Sequence, residues 1–184
     1  MKLIFLLILL VLFGCDSHNQ KTNIVENLYD YDIEQRLSEL GIELSDPILP
    51  KGVIIETATK SGNLIYLSGN GPILPNGEKI TGKVGTDLTI EQGYEAARLT
   101  AINHLSILKA KIGDLNKVVK IVKVLGMVNA PPSFTEHPKV INGYSNLMIS
   151  VFGERGKHAR SAVGMGSLPW NIACEVETIV EIKE

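Results

Sequence analysis

The stretch TIEQGYEAARLTAINHLSILKAKIGDLNKVVKIVKVL, residues 89–125, decides the fold because it places a long amphipathic helix directly before a strand. Thr89 followed by Gln92 forms a capping box, and apolar side chains then recur at helical spacing until Gly113 ends the helix. The β-branched run over residues 118–125 is typical of a strand buried in a sheet. The stretch therefore predicts a domain in which a helix packs on a sheet.

Further helices and strands are predicted on both sides of this stretch. They are helices over residues 31–40 and 137–152, and strands over residues 53–59, 64–68, 160–167 and 172–182. A turn over residues 168–171 is predicted between the last two strands. Helices and strands alternate without a strict strand–helix–strand repeat. We therefore expect one α+β domain with its helices packed on one face of a mixed sheet.

The N-terminus carries a positive start, Met1-Lys2, and an unbroken apolar run over residues 3–13, followed by Gly14 and Cys15. Such a run spans about 16 Å as a helix, roughly half of a bilayer core, so it is too short to cross a membrane. A basic start before a short apolar run is typical of a secretory signal peptide. A small residue before the cysteine resembles a bacterial lipobox; the alternative is a plain signal that contains a cysteine.

This pattern predicts a lipoprotein signal peptide over residues 1–14, a flexible tether over residues 15–27 and a folded domain over residues 28–184. The lipid would be attached at Cys15, and its acyl chains would anchor the mature protein to a membrane. We therefore expect a lipid-anchored protein of the bacterial cell envelope, on the periplasmic or extracytoplasmic face.

The composition is that of one ordinary globular domain, with 184 residues, 45% hydrophobic and 21% charged. The formal net charge is −2, and removal of the signal peptide with Lys2 would make it −3. Without a basic stripe, the chain is not expected to bind nucleic acid. The sequence contains no paired Cys/His spacing for zinc, no glycine-rich phosphate loop and no Gly-x-Ser-x-Gly elbow, so it indicates neither a metal nor a cofactor.

Cys174 is the one cysteine besides Cys15, so no internal disulfide is expected in the mature domain. It alternates in phase with Ile172, Val176 and Val180 along the last predicted strand. Because side chains two residues apart share one face of a strand, Cys174 belongs to an apolar face. We expect a buried and unreactive thiol.

Charged side chains occur in both C-terminal strands. Arg160 begins the first of them, and Glu175 and Glu177 share one face of the second by the period of two. On facing strands, a guanidinium and a carboxylate form either a cross-strand ion pair or a site that grips a ligand carboxylate and orients a water. The residues alone favour the ion pair.

Six segments resemble blocks of the RidA/YjgF family, once called L-PSP endoribonucleases. They are KSGNLIYLSGN (60–70), GKVG (82–85), KVING (139–143), HARSAV (158–163), Leu168-Pro169 and ACEVE (173–177). KSGNLIYLSGN resembles the family's x-G-N-x-(apolar)3-S-G-Q block, and HARSAV resembles its P-A-R-S-x-V block. Leu168-Pro169 and ACEVE resemble the family's closing strand. GKVG and KVING resemble segments of one divergent branch. The resemblance covers residues 31–183, nearly the whole mature domain.

The resemblance implies a chorismate-mutase-like α+β fold that assembles as a homotrimer with clefts between subunits. The best-known branch hydrolyses 2-imino acids to 2-keto acids and ammonia without a cofactor. On this resemblance, Arg160 would bind the substrate carboxylate bidentately and Glu175 would hold the attacking water. Four further positions match the family's cleft: Ser68, Gly69, Asn142 and the backbone of Ala162. The partners implied are a small carboxylate-bearing ligand, further copies of the chain and the membrane.

The sequence departs from the family pattern at several cleft positions. Ile55 stands where the deaminase branch usually has a tyrosine, Asn70 replaces a glutamine and Gly71 replaces an apolar residue. Export is also an unusual setting for imines, which arise from cytoplasmic pyridoxal enzymes. These departures favour an alternative, a non-catalytic, lipid-anchored carboxylate-binding or scaffold protein with the same trimeric fold. Ribonuclease activity fits poorly with the negative net charge.

Overall fold

The computed structural model describes residues 27–48, 52 and 54–183. The predicted signal peptide, Cys15 and the predicted tether up to residue 26 lie outside the described residues. Within the described part, no helix combines the length and the apolar character needed to cross a membrane.

A single five-stranded mixed sheet forms the centre of the described chain, in the order β1-β2-β5-β3-β4. The strands are β1 (Ala58–Ser61), β2 (Leu64–Asn70), β3 (Val118–Asn129), β4 (Ala159–Met165) and β5 (Cys174–Ile182). All neighbouring strands are antiparallel except β3 and β4, which are parallel because the chain crosses over between them through a helix.

Three α-helices accompany the sheet within the described residues: α1 (Ile33–Glu39), α2 (Ile90–Ile112) and α3 (His137–Phe152). The predicted capping box begins α2, with hydrogen bonds in both directions between Thr89 and Gln92, and Gly113 follows its last residue. Helices α2 and α3 pack against each other and against the strands. The predicted central helix and its ends are therefore confirmed.

The burial pattern of β5 shows which face of the sheet the helices cover. Cys174, Val176, Thr178, Val180 and Ile182 are buried, whereas the residues between them are half-buried or exposed. The helices thus pack on one face and the other face is open, as the α+β prediction states. The Cys174 Sγ lies 3.7 Å from the Thr100 hydroxyl of α2, and burial raises the pKa of this thiol to about 12. The prediction of a buried thiol is confirmed, and the raised pKa disfavours the reactive thiolate.

All five strands differ from their predicted bounds, and two of the differences have a clear local cause. The first hairpin strand, predicted over residues 53–59, runs over Ala58–Ser61, since Ser61 and Leu64 pair directly around a two-residue turn. Gly62 makes this turn possible because its φ of +58° lies in the left-handed region. The last strand begins at Cys174, because residues 169–171 form a short 3-10 turn before it.

The predicted ion pair between facing C-terminal strands is wrong. Strand β3 lies between β4 and β5, because the crossover through α3 places β4 parallel to β3 on the far edge. Arg160 is in register with the buried Val124, on the helix-covered face. Glu175 is in register with Met127 and belongs to the open face. The two side chains therefore lie on opposite faces of the sheet.

Candidate active site

The arginine half-site consists of Arg160 with Asn142, Ser145 and His158, between α3 and β4. The Nη1 atom of Arg160 donates to Asn142 Oδ1 and to Ser145 Oγ, both at 2.9 Å. Among the described residues, Nε and Nη2 of Arg160 have no hydrogen-bond partner and no carboxylate pairs with the guanidinium. Partial burial lowers the pKa of Arg160. The free Nε–Nη2 edge has the geometry that pairs bidentately with a carboxylate.

His158 orients this cluster. Its Nδ1 lies 2.7 Å from the Gly156 carbonyl oxygen and its Nε2 lies 3.0 Å from Ser145 Oγ. Because a carbonyl only accepts, Nδ1 carries the proton, so Nε2 accepts from the Ser145 hydroxyl. Burial lowers the pKa of His158, the Arg160 charge lowers it further and the Gly156 hydrogen bond opposes them. The neutral imidazole is therefore held against Ser145, whose oxygen accepts from Arg160.

Sequence reasoning named Asn142 and Arg160 but missed Ser145 and His158. Two spacings in the sequence could have indicated them. Ser145 follows Asn142 by three residues, so both lie on the same face of α3. His158 precedes Arg160 by two residues, the period of a strand. Ala162 follows Arg160 by the same period, in register with Gly126.

The glutamate half-site lies on β2 and β5 around Glu175, with Ser68, Gly69, Lys79 and Trp170. A Cβ atom at Gly69 would collide with Glu175 Oε1, so the carboxylate lies directly over the bare backbone of Gly69. Among the described residues, no side chain or backbone N–H donates a hydrogen bond to this carboxylate. Burial raises the pKa of Glu175, and the Glu177 carboxylate raises it further.

A buried polar network reaches the Ser68 carbonyl from the helix-covered side. His104 Nδ1 lies 2.8 Å from the Tyr144 hydroxyl, which lies 2.7 Å from Thr178 Oγ1. His104 Nε2 lies 3.3 Å from the Ser68 carbonyl oxygen. Because that carbonyl only accepts, Nε2 carries the proton and Nδ1 accepts from Tyr144. Burial lowers the pKa of His104 to about 4, so the imidazole is neutral and structural. The Ser68 hydroxyl donates to the Glu56 carbonyl at 2.7 Å.

A small pocket of about 60 Å³ opens beside Glu175. Gly69, Lys79, Trp170 and Ile172 are among its lining residues. Trp170 is not among the site residues predicted from the sequence, where it belongs only to a predicted turn. A larger cavity of about 560 Å³ lies against residues 27–32, away from every predicted site residue.

The predicted site residues thus fall into two groups that one chain does not bring together. Arg160, Asn142 and Ala162 belong to the arginine half-site, and Ser68, Gly69 and Glu175 belong to the glutamate half-site. Strand β3 separates Arg160 from Glu175, and the two side chains lie on opposite faces of the sheet. In the described part of the chain, no group of three or more His, Cys, Asp or Glu residues could hold a metal ion.

Comparisons with known proteins agree with this fold. The family model described as "YjgF/chorismate_mutase-like, putative endoribonuclease" matches residues 34–182. Protein TCP17 of Trypanosoma cruzi is 40% identical over 151 residues, which cover 82% of this chain and 94% of TCP17. A crystal structure of an Agrobacterium tumefaciens protein with unknown function is similar with a TM-score of 0.76 and 44% identity, covering 83% of this chain and 94% of that one. RidA from an Antarctic Psychrobacter is similar with a TM-score of 0.52 and 25% identity, covering 74% of this chain and 94% of RidA.

Proposed function

This chain belongs to the YjgF/chorismate-mutase-like family, and on that premise we propose that it hydrolyses small 2-imino or enamino acids to 2-keto acids and ammonia. The observation that carries the proposal is the guanidinium of Arg160. It is half-buried, it has no carboxylate partner among the described residues, and hydrogen bonds at Nη1 fix its orientation. A positioned cation with a free bidentate edge is a receptor for the carboxylate that every 2-imino acid carries.

Glu175 supplies the chemistry that the bound imine needs. In hydrolysis, a water oxygen attacks C2 of the protonated imine, the C2–N bond of the resulting carbinolamine breaks, and ammonia leaves as the 2-keto group forms. One group must take a proton from the water and return it to the departing nitrogen. The raised pKa of Glu175 suits both transfers, and its carboxylate is free of competing donors within the described residues.

The complete site is proposed to form between copies of the chain in a homotrimer. Because Arg160 and Glu175 lie on opposite faces of the sheet, one substrate can reach both only if they come from different copies. The open face also exposes large hydrophobic side chains to water. Tyr66 and Val163 are among them, and they are 42% and 39% exposed. Packing of this face against another copy would bury them.

A second candidate is a non-catalytic protein that binds small carboxylates through the same arginine half-site. Ile55 favours it, because this side chain is 54% exposed and brings no hydroxyl to the position where the deaminase branch usually carries tyrosine. In that case the protein would bind 2-keto acids without accelerating imine hydrolysis. Both candidates depend on Arg160, and turnover distinguishes them.

The deciding experiment follows keto-acid release from freshly generated 2-iminopropanoate and 2-iminobutanoate in the presence of residues 28–184. Arg160→Ala is the matched control, since it removes the guanidinium and leaves the backbone of β4 in place. We expect acceleration by the wild type and none by the variant, at nearly equal melting temperatures. Acceleration that survives Arg160→Ala would exclude this site, and a folded, binding but inactive wild type would support the second candidate.

We also propose that the mature protein is held at the membrane by lipid on Cys15. The support is the short apolar run that ends in Gly14-Cys15. Expression of Cys15→Ser in a bacterial host should move the protein from the membrane fraction to the soluble fraction after cell breakage. Membrane association that persists in this variant would show that Cys15 is not the anchor.

A further inference from the structure

The turn between β4 and β5 displays a tryptophan beside the glutamate half-site. Trp170 and Asn171 have φ angles of +52° and +57°, so two successive residues other than glycine adopt the left-handed region. A bulky side chain is a rare occupant of that region. The indole is nevertheless 56% exposed, so burial of the ring does not explain the conformation.

Hydrogen bonds from the rest of the domain hold this turn in place. The buried Asn129 side chain donates to Asn171 Oδ1 at 2.9 Å and to the Ile172 carbonyl at 3.1 Å. The backbone N–H of Gly82 donates to the Asn171 carbonyl at 2.8 Å. Lys83 in turn donates to Asn129 Oδ1 at 3.1 Å. Strained backbone that is held in place by many surrounding contacts occurs most often at functional sites.

Lys79 completes the arrangement. Its ammonium nitrogen lies 5.4 Å from the centre of the Trp170 ring, within the range of a cation–π contact. No carboxylate among the described residues pairs with this ammonium. Lys79 and Trp170 line the same small pocket as Gly69 and Glu175, together with the apolar side chains of Ile73 and Ile172. The pocket therefore combines an apolar wall with an available positive charge.

We propose that Trp170 and Lys79 form a side-chain subsite that favours 2-imino acids whose side chain ends in a carboxylate. The methylene groups of such a side chain would pack on the indole and on Ile73 and Ile172, and the terminal carboxylate would meet the Lys79 ammonium. The C2 atom would then lie near Glu175, while the other carboxylate is bound at Arg160. The inference rests on the proposed function, since Arg160 must hold the first carboxylate.

The test compares two stable product analogues, 2-oxoglutarate and 2-oxopentanoate, which have equal chain length and differ in the terminal carboxylate. Binding to the purified protein is measured by calorimetry. We expect 2-oxoglutarate to bind about tenfold more tightly, the gain that one charge-assisted hydrogen bond gives at a half-exposed site. Lys79→Met should abolish this preference, because the terminal carboxylate of 2-oxoglutarate then meets no positive charge. Trp170→Leu should weaken the binding of both ligands.

The controls separate the failure of this inference from the failure of the proposed function. Lys111→Met, at the exposed end of α2, removes an equal charge and should keep the tenfold preference. Equal affinities for the two acids, both lost in Arg160→Ala, would overturn the subsite and leave the arginine site standing. If neither acid binds, or if binding survives Arg160→Ala, the proposed function itself fails and the subsite with it.

Discussion

The two half-sites are built in opposite ways. Side chains hold the arginine half-site: Asn142 and Ser145 accept from Arg160, and His158 orients Ser145. In the glutamate half-site, by contrast, the Glu175 carboxylate lies over the bare backbone of Gly69 and receives no hydrogen bond from the described residues. A guanidinium that binds a ligand works best when its N–H donors are held in a fixed orientation. A carboxylate that takes up and releases a proton works best when no other donor is hydrogen-bonded to it. On the proposed function, the arginine half-site would therefore bind the substrate and the glutamate half-site would transfer protons.

The largest expected effect concerns proton transfer. Glu175→Gln should lower kcat for imine hydrolysis by about 1000-fold, since general acid–base groups contribute about 100- to 10,000-fold. The KM should change little, because Arg160 still binds the carboxylate. Steady-state kinetics together with 2-oxobutanoate binding measure the two effects separately. A loss of binding equal to the loss of kcat would contradict the division of roles.

Next in size is the replacement of the guanidinium by another cation. Arg160→Lys should weaken 2-oxobutanoate binding by about 30- to 100-fold, because lysine keeps the charge but lacks the planar two-donor edge. Its ammonium also cannot serve Asn142, Ser145 and the ligand in the same geometry. Calorimetric titration checks the prediction. Near wild-type affinity in Arg160→Lys would show that charge alone determines binding.

A smaller effect is expected from His158, which acts on the ligand only through Ser145 and Arg160. His158→Ala should weaken 2-oxobutanoate binding by about five- to tenfold, the cost of one lost hydrogen bond in the network. His158→Gln should restore affinity to within about threefold, because its amide oxygen can accept from Ser145 as Nε2 does. If Gln and Ala behave alike at equal melting temperature, His158 does not position Arg160 by this hydrogen bond.

The smallest effect is on stability. The pKa of Glu175 is raised on folding, so the folded state binds its proton more tightly than the unfolded state does. The stabilisation from that proton is present at low pH and is lost as the pH rises through the folded pKa. Glu175→Gln should therefore raise the melting temperature by about 1–2 °C at pH 7 and leave it unchanged near pH 3. If wild type and Glu175→Gln have the same melting temperature at pH 7 as well as at pH 3, folding does not raise the pKa of Glu175.

Local patterns predicted most of the fold. The capping box of α2 and the alternation around Cys174 are properties of neighbouring residues, and both appear in the structure. The strand order is a property of distant segments. The residues around Arg160 and Glu175 do not indicate that β3 lies between β4 and β5. The prediction of an ion pair between them was therefore wrong.

Family resemblance also decided which residues of the two half-sites the sequence could name. The cleft residues matched by family resemblance, such as Gly69 and Asn142, lie in one or the other half-site. The neighbours that no resemblance named were missed, because Ser145 and His158 acquire a partner only when α3 packs beside β4. Trp170 was missed since a turn pattern predicts a change of direction and not a left-handed φ at a bulky residue.

The central claim is that each site takes its arginine from one copy of the chain and its glutamate from another. Arg160→Ala and Glu175→Gln proteins should each be nearly inactive alone, and their subunits can be mixed by refolding together in equal amounts. In a ring of three copies, random assembly places an intact Arg160 beside an intact Glu175 at about one interface in four. Imine hydrolysis should therefore recover to about a quarter of the wild-type rate. A mixture that forms trimers and stays as inactive as its two components would contradict the account.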